Sequence, residues 1–187
     1  MTTIAAVQGD GWAVVGYDSR VTTITDGGRY YTLPKGNAKL VKNGDYLIGT
    51  AGDLRVVNIL SYSFKPPVPP KTKTNLDKFM INTFVPAIKT CFENEGINQK
   101  EGTGADLLIV VRGKVYELGE HFEWSPDVNQ VYAIGSGASY ALGSLYTNIK
   151  KNSLTQAQAS IRQALEVSAL LDPYTGSPFT VVTQKDE

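Results

Sequence analysis

The chain has 187 residues, 42% of them hydrophobic, with Lys+Arg and Asp+Glu balanced at 18 each. That length predicts one domain spanning residues 1–187, and the composition excludes a disordered or collagen-like chain. Zero formal charge offers no basic excess for a nucleic-acid partner, and no apolar run approaches the roughly 18 residues of a membrane span.

Cys91 is the only cysteine, which excludes an internal disulfide framework and a thiolate zinc cluster. His121 is the only histidine, so no multi-histidine metal site is available and a Ser-His-Asp triad would have to use that residue. The opening MTTIAAVQGD lacks the basic region and long apolar core of a signal peptide. A cytoplasmic protein in a reducing compartment is the expectation.

In chain order, residues 3–7 and 12–17 are apolar runs separated by Gly9-Asp10-Gly11, a hairpin pattern. Both runs are too apolar for a sheet with one wet face, so a sheet covered on both sides is predicted. Residues 19–34 read as irregular extended chain with a turn at Gly27-Gly28. Lys42-Asn43-Gly44-Asp45 between apolar segments predicts a second hairpin. A helix is expected over 53–63, with Leu54, Val57, Ile59, Leu60 and Tyr62 as its apolar residues. The prolines of KPPVPPK at 65–71 cannot continue it and read as a rigid surface connector, or as a ligand for a proline-binding module.

Leu76, Met80, Phe84, Ile88 and Phe92 recur at i+4 and predict a helix over 75–93, kinked at Pro86. Residues 105–111 and 115–118 read as strands joined by a turn at 112–114, residues 119–130 as a loop, and 131–134 as a short strand. Helices follow over 138–149 and 155–170, the second lined by Ala157, Ile161, Ala164, Leu165, Ser168 and Ala169. Asp172-Pro173 ends it, and 178–183 is a final strand. Two helical blocks separated by sheet can cover opposite faces of stacked sheets.

Several residues invite a chemical reading. Thr2 follows the initiator methionine, and so small a side chain permits removal of Met1. The freed α-amine, with an unperturbed pKa of about 7.7–8.0, can serve as base for the hydroxyl of the same residue. Asp18 and Arg20 end an apolar strand, where they can pair or join a site. Lys39 enters an apolar strand; it either snorkels to water or faces Thr2, where it would lower the hydroxyl pKa. Gly49-Thr50-Ala51-Gly52-Asp53 runs from strand into helix and offers amide donors, while Ser136 in Gly135-Ser136-Gly137 offers a hydroxyl. Neither glycine cluster has the spacing of a dinucleotide or P-loop fingerprint. Asp172 and Thr175 either hydrogen-bond the same amine or cap local backbone.

Six segments in order resemble the proteasome β-subunit superfamily of N-terminal nucleophile hydrolases, including its bacterial two-component protease subunit. They are Thr2-Thr3-Ile4, Asp18-Ser19-Arg20-Val21-Thr22, Gly36-Asn37-Ala38-Lys39-Leu40, Gly49-Thr50-Ala51-Gly52-Asp53, Ala133-Ile134-Gly135-Ser136-Gly137 and Asp172-Pro173-Tyr174-Thr175-Gly176. The resemblance implies an α+β fold, a four-layer αββα sandwich. It implies a threonine-type endopeptidase with Thr2 as nucleophile, Lys39 beside its hydroxyl, Asp18 orienting Lys39 and Gly52 as oxyanion donor. Ser136, Asp172 and Thr175 would position the amine, Thr175 standing where the family has serine. Polypeptide substrates, stacked homo-oligomeric rings of six or seven subunits and an ATPase unfoldase are the implied partners. An inactive ring or scaffold subunit and a small-molecule amidase of the same chemistry are the alternatives. The segment between Asp18 and Lys39 is several residues longer than the family's, so specificity does not transfer.

Overall fold

The protein was analysed as a computed structural model that describes residues 2–22, 30–33, 39–98, 102–124, 126–148 and 153–186. Met1, the Gly27-Gly28 turn and the Gly36-Asn37-Ala38 part of the third motif lie outside the described residues.

Strands β1 (Ile4–Gly9) and β2 (Trp12–Asp18) form the first hairpin, closing with Gly9 opposite Trp12. With β9 (Val131–Ile134) and β10 (Phe179–Lys185) they make a sheet of order β10-β2-β1-β9, every neighbouring pair antiparallel. Short strands β3 (Arg20–Thr22) and β4 (Tyr30–Thr32) pair with each other in the region read as irregular. A second four-stranded sheet has the order β5-β6-β7-β8, from β5 (Leu40–Asn43), β6 (Tyr46–Gly52), β7 (Ala105–Val111) and β8 (Lys114–Leu118). Its first hairpin turns at Gly44-Asp45, with Asn43 opposite Tyr46, as the Asn-Gly signal predicts.

Side chains alternate across each strand, and that alternation builds the layers. Ile4, Ala6 and Val15 face Leu47, Leu108 and Val110 of the other sheet. Ala5, Val7 and Val14 face the opposite way, onto helices α4 (Ala138–Asn148) and α5 (Leu154–Leu171). Tyr46, Ile48, Leu107 and Ile109 meet α1 (Leu54–Tyr62), α2 (Leu76–Phe79) and α3 (Val85–Asn94). Three apolar layers thus lie between four layers of structure, α on β on β on α, the expected sandwich. Both sheets are covered on both faces, which explains why their strands lack a polar face.

The helices correct the sequence reading in detail. Asp53 caps α1, its carboxylate accepting from the Arg55 amide at 2.8 Å. From that start the buried stripe is Val56, Ile59 and Leu60, while Leu54 and Tyr62 of the expected apolar set point outward. Leu76, Met80, Phe84, Ile88 and Phe92 are all buried as predicted. A π-helical turn over Met80–Phe84, just ahead of Pro86, joins α2 to α3, with the Val85 amide bonded to the Met80 carbonyl. A wider turn just before Pro86 relieves the clash of its ring with the preceding carbonyls and places it in the first turn of α3. Ser153 caps α5, and Ala169 is only partly buried, unlike the other five residues expected on its inner face.

The proline-rich segment is a surface connector anchored from below. Tyr46 Oη donates to the Pro67 carbonyl at 2.8 Å and Arg112 Nε to the Pro70 carbonyl at 2.7 Å, while Val68 is exposed.

Candidate active site

The start of β1, the ends of β2, β6 and β9 and the chain just after α5 converge at one edge of the gap between the sheets. Antiparallel pairing of β1 with both β2 and β9 sets this register: Ile4 lies opposite Tyr17 on one side and Ile134 on the other. The residues just before Ile4 therefore sit between Asp18 and Gly135-Ser136-Gly137. Thr2 and Thr3 are both buried there, at 4% and 0% exposure.

Asp18 is fully buried, and all its lone pairs are employed. Oδ1 accepts from the Thr3 amide at 2.9 Å and from Lys39 Nζ at 2.6 Å. Oδ2 accepts from the amides of Arg20 at 3.1 Å and Gly176 at 3.0 Å. Lys39 is itself only 2% exposed, so the snorkelling alternative is excluded. Burial draws the Lys39 ammonium below the ordinary lysine range, and the Asp18 charge opposes that shift. Because one carboxylate oxygen holds both the ammonium and the Thr3 amide, the lysine head is fixed one residue along the chain from Thr2. Arg20 does not pair with Asp18 through its guanidinium; Nη1 donates to the Pro173 carbonyl at 2.9 Å.

A second cluster surrounds the Thr2 nitrogen. That nitrogen donates to Ser136 Oγ at 3.3 Å, and Ser136 Oγ donates to Asp172 Oδ2 at 2.8 Å. Thr175 Oγ1 donates to the same Oδ2 at 2.7 Å, and the Tyr174 amide to Oδ1 at 3.1 Å. A hydroxyl has a single proton, so Thr175 must accept from Thr3 Oγ1, 2.5 Å away. The result is a closed set of bonds from Thr3 through Thr175, Asp172 and Ser136 back to the Thr2 nitrogen. Gly137 makes this packing possible: a Cβ there would lie 2.0 Å from Thr3 Oγ1 and 2.9 Å from Thr175 Oγ1.

Thr2, Ala51, Gly52, Gly135 and Ser136 line one cavity of about 270 Å³. Gly52 has a φ of +136°, and a side chain there would press into the Gly104 carbonyl, so glycine is required where β6 ends beside Thr2. Among the described residues, no partner hydrogen-bonds the Thr2 hydroxyl. Thr2 lines the cavity while its nitrogen donates to Ser136 and its carbonyl accepts from the Gly137 amide.

All seven residues singled out in the sequence lie at this edge. Thr2, Ser136, Asp172 and Thr175 form one hydrogen-bonded group, Asp18 and Lys39 another, and Gly52 shares the cavity wall with Thr2. Sequence reasoning assigned no role to the Thr3 hydroxyl, which ties Thr175 in place, or to Asp106 and Glu120, which line the same cavity. Strand parity was the available signal for Asp106: it shares a face with Leu108 and Val110, an acidic residue on the inward side of a buried strand.

No family model matches the chain. It is 31% identical over 189 residues to the ATP-dependent protease subunit HslV of Caldicellulosiruptor saccharolyticus, covering 97% of each chain. To the ATP-dependent protease subunit HslV of Nitratiruptor sp. it is 26% identical, covering 99% of this chain and 98% of the relative. The solved structure of Thiobacillus denitrificans BPH in complex with epoxomicin covers 100% of both chains, with a TM-score of 0.76 and 23% identity. HslV from Trypanosoma brucei matches over 98% of this chain and 99% of its own, with a TM-score of 0.67 and 18% identity. These two structures share the four-layer sandwich. On its near-full-length identity to the curated relatives, the chain belongs to the HslV family of proteasome-type N-terminal nucleophile hydrolases.

Proposed function

We propose that the protein is a threonine-type endopeptidase acting on polypeptides. The observation that carries this reading is the buried Lys39–Asp18 pair bonded to the residue next to Thr2, with the Thr2 nitrogen held by Ser136.

Removal of Met1 frees the Thr2 α-amine. The Thr2 hydroxyl attacks the scissile carbonyl while that amine, directly or through one water, takes its proton. Lys39 stabilises the developing alkoxide, and Asp18 keeps Lys39 charged and placed despite burial. The Gly52 amide donates to the carbonyl oxygen as it becomes an oxyanion. The amine then returns its proton to the departing nitrogen of the substrate, leaving an ester on Thr2. Water activated by the same amine cleaves that ester and restores the hydroxyl. Ser136, Asp172 and Thr175 aim the amine throughout. This chemistry calls for neither a metal nor an organic cofactor.

The relatives are ATP-dependent protease subunits. In that light the protein works in the cytoplasm as stacked homo-oligomeric rings of six or seven subunits that enclose the active sites, fed by an ATPase unfoldase. Replacing Thr2 by Ala tests the reading: peptide hydrolysis disappears while the assembly persists in size-exclusion chromatography. Undiminished turnover by that variant would assign the chemistry elsewhere.

A further inference from the structure

The cavity that holds Thr2 is acidic on one side. Asp106 and Glu120 line it together with Thr2, and among the described residues neither forms an ion pair. Asp106 also lines an adjoining groove of about 700 Å³, where Glu117, Glu123 and Asp127 supply further carboxylates and Trp124 an aromatic face. Among the described residues, no Lys, Arg or His lines either space. The chain as a whole is neutral, so this acidity is a local arrangement.

Two independent features point to a ligand in this place. Thr2 is 4% exposed and lines the smaller cavity, and its hydroxyl has no hydrogen-bond partner among the described residues. The carboxylates themselves are held against electrostatic resistance. Burial comes first in pushing the Asp106 carboxyl above the usual range, and the charges of Glu120 and Glu123 push further. Burial and then the Asp106 charge act on Glu117 in the same direction. A cation seated among them would relieve that repulsion, and a polypeptide brings such a cation as a lysine or arginine side chain.

We propose that the cleft selects polypeptides carrying Lys or Arg immediately beside the scissile bond, with Asp106 and Glu120 receiving the cationic head while Thr2 attacks. The proposal rests on the peptidase reading and names its substrate class. Asp106 is the specificity-determining residue because it belongs to both the nucleophile's cavity and the groove beyond it. Glu120 lines the smaller cavity as well and reinforces it.

The test uses the full-length assembled protein and fluorogenic peptides with Lys, Arg, Leu or Glu placed in turn on either side of the cleaved bond. A peptide epoxyketone is applied in parallel to count reactive Thr2. At one of the two positions Lys and Arg should raise kcat/KM roughly tenfold over Leu and more over Glu. Asp106→Asn should bring the Lys-to-Leu ratio close to one, and Asp106→Lys should favour Glu. Glu120→Gln, in the exposed stretch after β8, should lower the ratio severalfold and serves if the Asp106 variants fail to fold. If Thr2 is labelled and peptides are cleaved with no charge preference, or with one that these variants leave intact, the proposal fails alone. If no peptide is cleaved and Thr2 stays unlabelled, it fails together with the peptidase reading.

Discussion

Asp18 and Lys39 form a buried ion pair of 2.6 Å, the carboxylate lying at the meeting point of several donors. Asp18 also receives the amides of Thr3, Arg20 and Gly176. Asp18→Ala removes the carboxylate that accepts from the buried Lys39 ammonium and from three amides, and should cost about 3–5 kcal/mol of stability. Lys39→Met leaves the carboxylate bonded to those amides and should cost clearly less, while abolishing hydrolysis equally. Chemical denaturation of both variants, with peptide turnover alongside, checks the asymmetry.

Ser136 separates chemistry from folding. It is exposed, so Ser136→Ala should leave the melting temperature nearly unchanged. Losing its hydroxyl removes the link between Asp172 and the Thr2 nitrogen, and kcat should fall about 10- to 100-fold. Steady-state kinetics and a thermal melt on the same preparation give the answer.

Gly137→Ala is predicted to act through crowding. The added methyl would lie 2.0 Å from Thr3 Oγ1, in a spot enclosed by Thr175 and Asp172. Thr3 must move, and the Thr3–Thr175–Asp172 bonds go with it. We expect a destabilisation of about 2 kcal/mol or more and loss of activity, measurable by denaturation and turnover.

Asp106 gives a pH dependence of definite sign. Burial and the charges of Glu120 and Glu123 raise its folded pKa, and Glu117 beside it is raised as well. Such a carboxyl retains protons in the native state that the unfolded chain has released. Its contribution to stability is whole below the unfolded pKa and is lost as pH rises through the folded one. Asp106→Asn should therefore melt higher than the parent near neutral pH, and the difference should shrink towards about pH 4. Thermal melts across that range test it.

Much of the fold was legible because local chemistry and burial agree. Strands covered on both faces announced themselves as apolar runs, and Asn43-Gly44 marked its hairpin. The face of α1 was misread because its residues were grouped by hydrophobicity instead of by angle from the Asp53 cap; Leu54 and Tyr62 are apolar yet outward. Pro86 did announce a disturbance, which takes the form of a π-helical turn just before it. In the site, the resemblance named the seven residues and the folded chain brings them to one edge. The roles of Thr3 and Asp106 were hidden for different reasons. Thr3 Oγ1 matters only through a contact with Thr175, 172 positions away. Asp106 matters because strand pairing sets Ala105 opposite Gly52, at the mouth of the gap between the sheets.

The central claim is that Thr2 becomes a free chain end carrying both nucleophile and base. Intact and peptide-level mass spectrometry after incubation with a peptide epoxyketone tests it most directly, since that warhead closes a ring with the hydroxyl and α-amine of one residue. The account predicts a chain lacking Met1 that carries a single morpholine-type adduct on Thr2. A preparation that cleaves peptides while fully retaining Met1, with Thr2 unmodified, would contradict it.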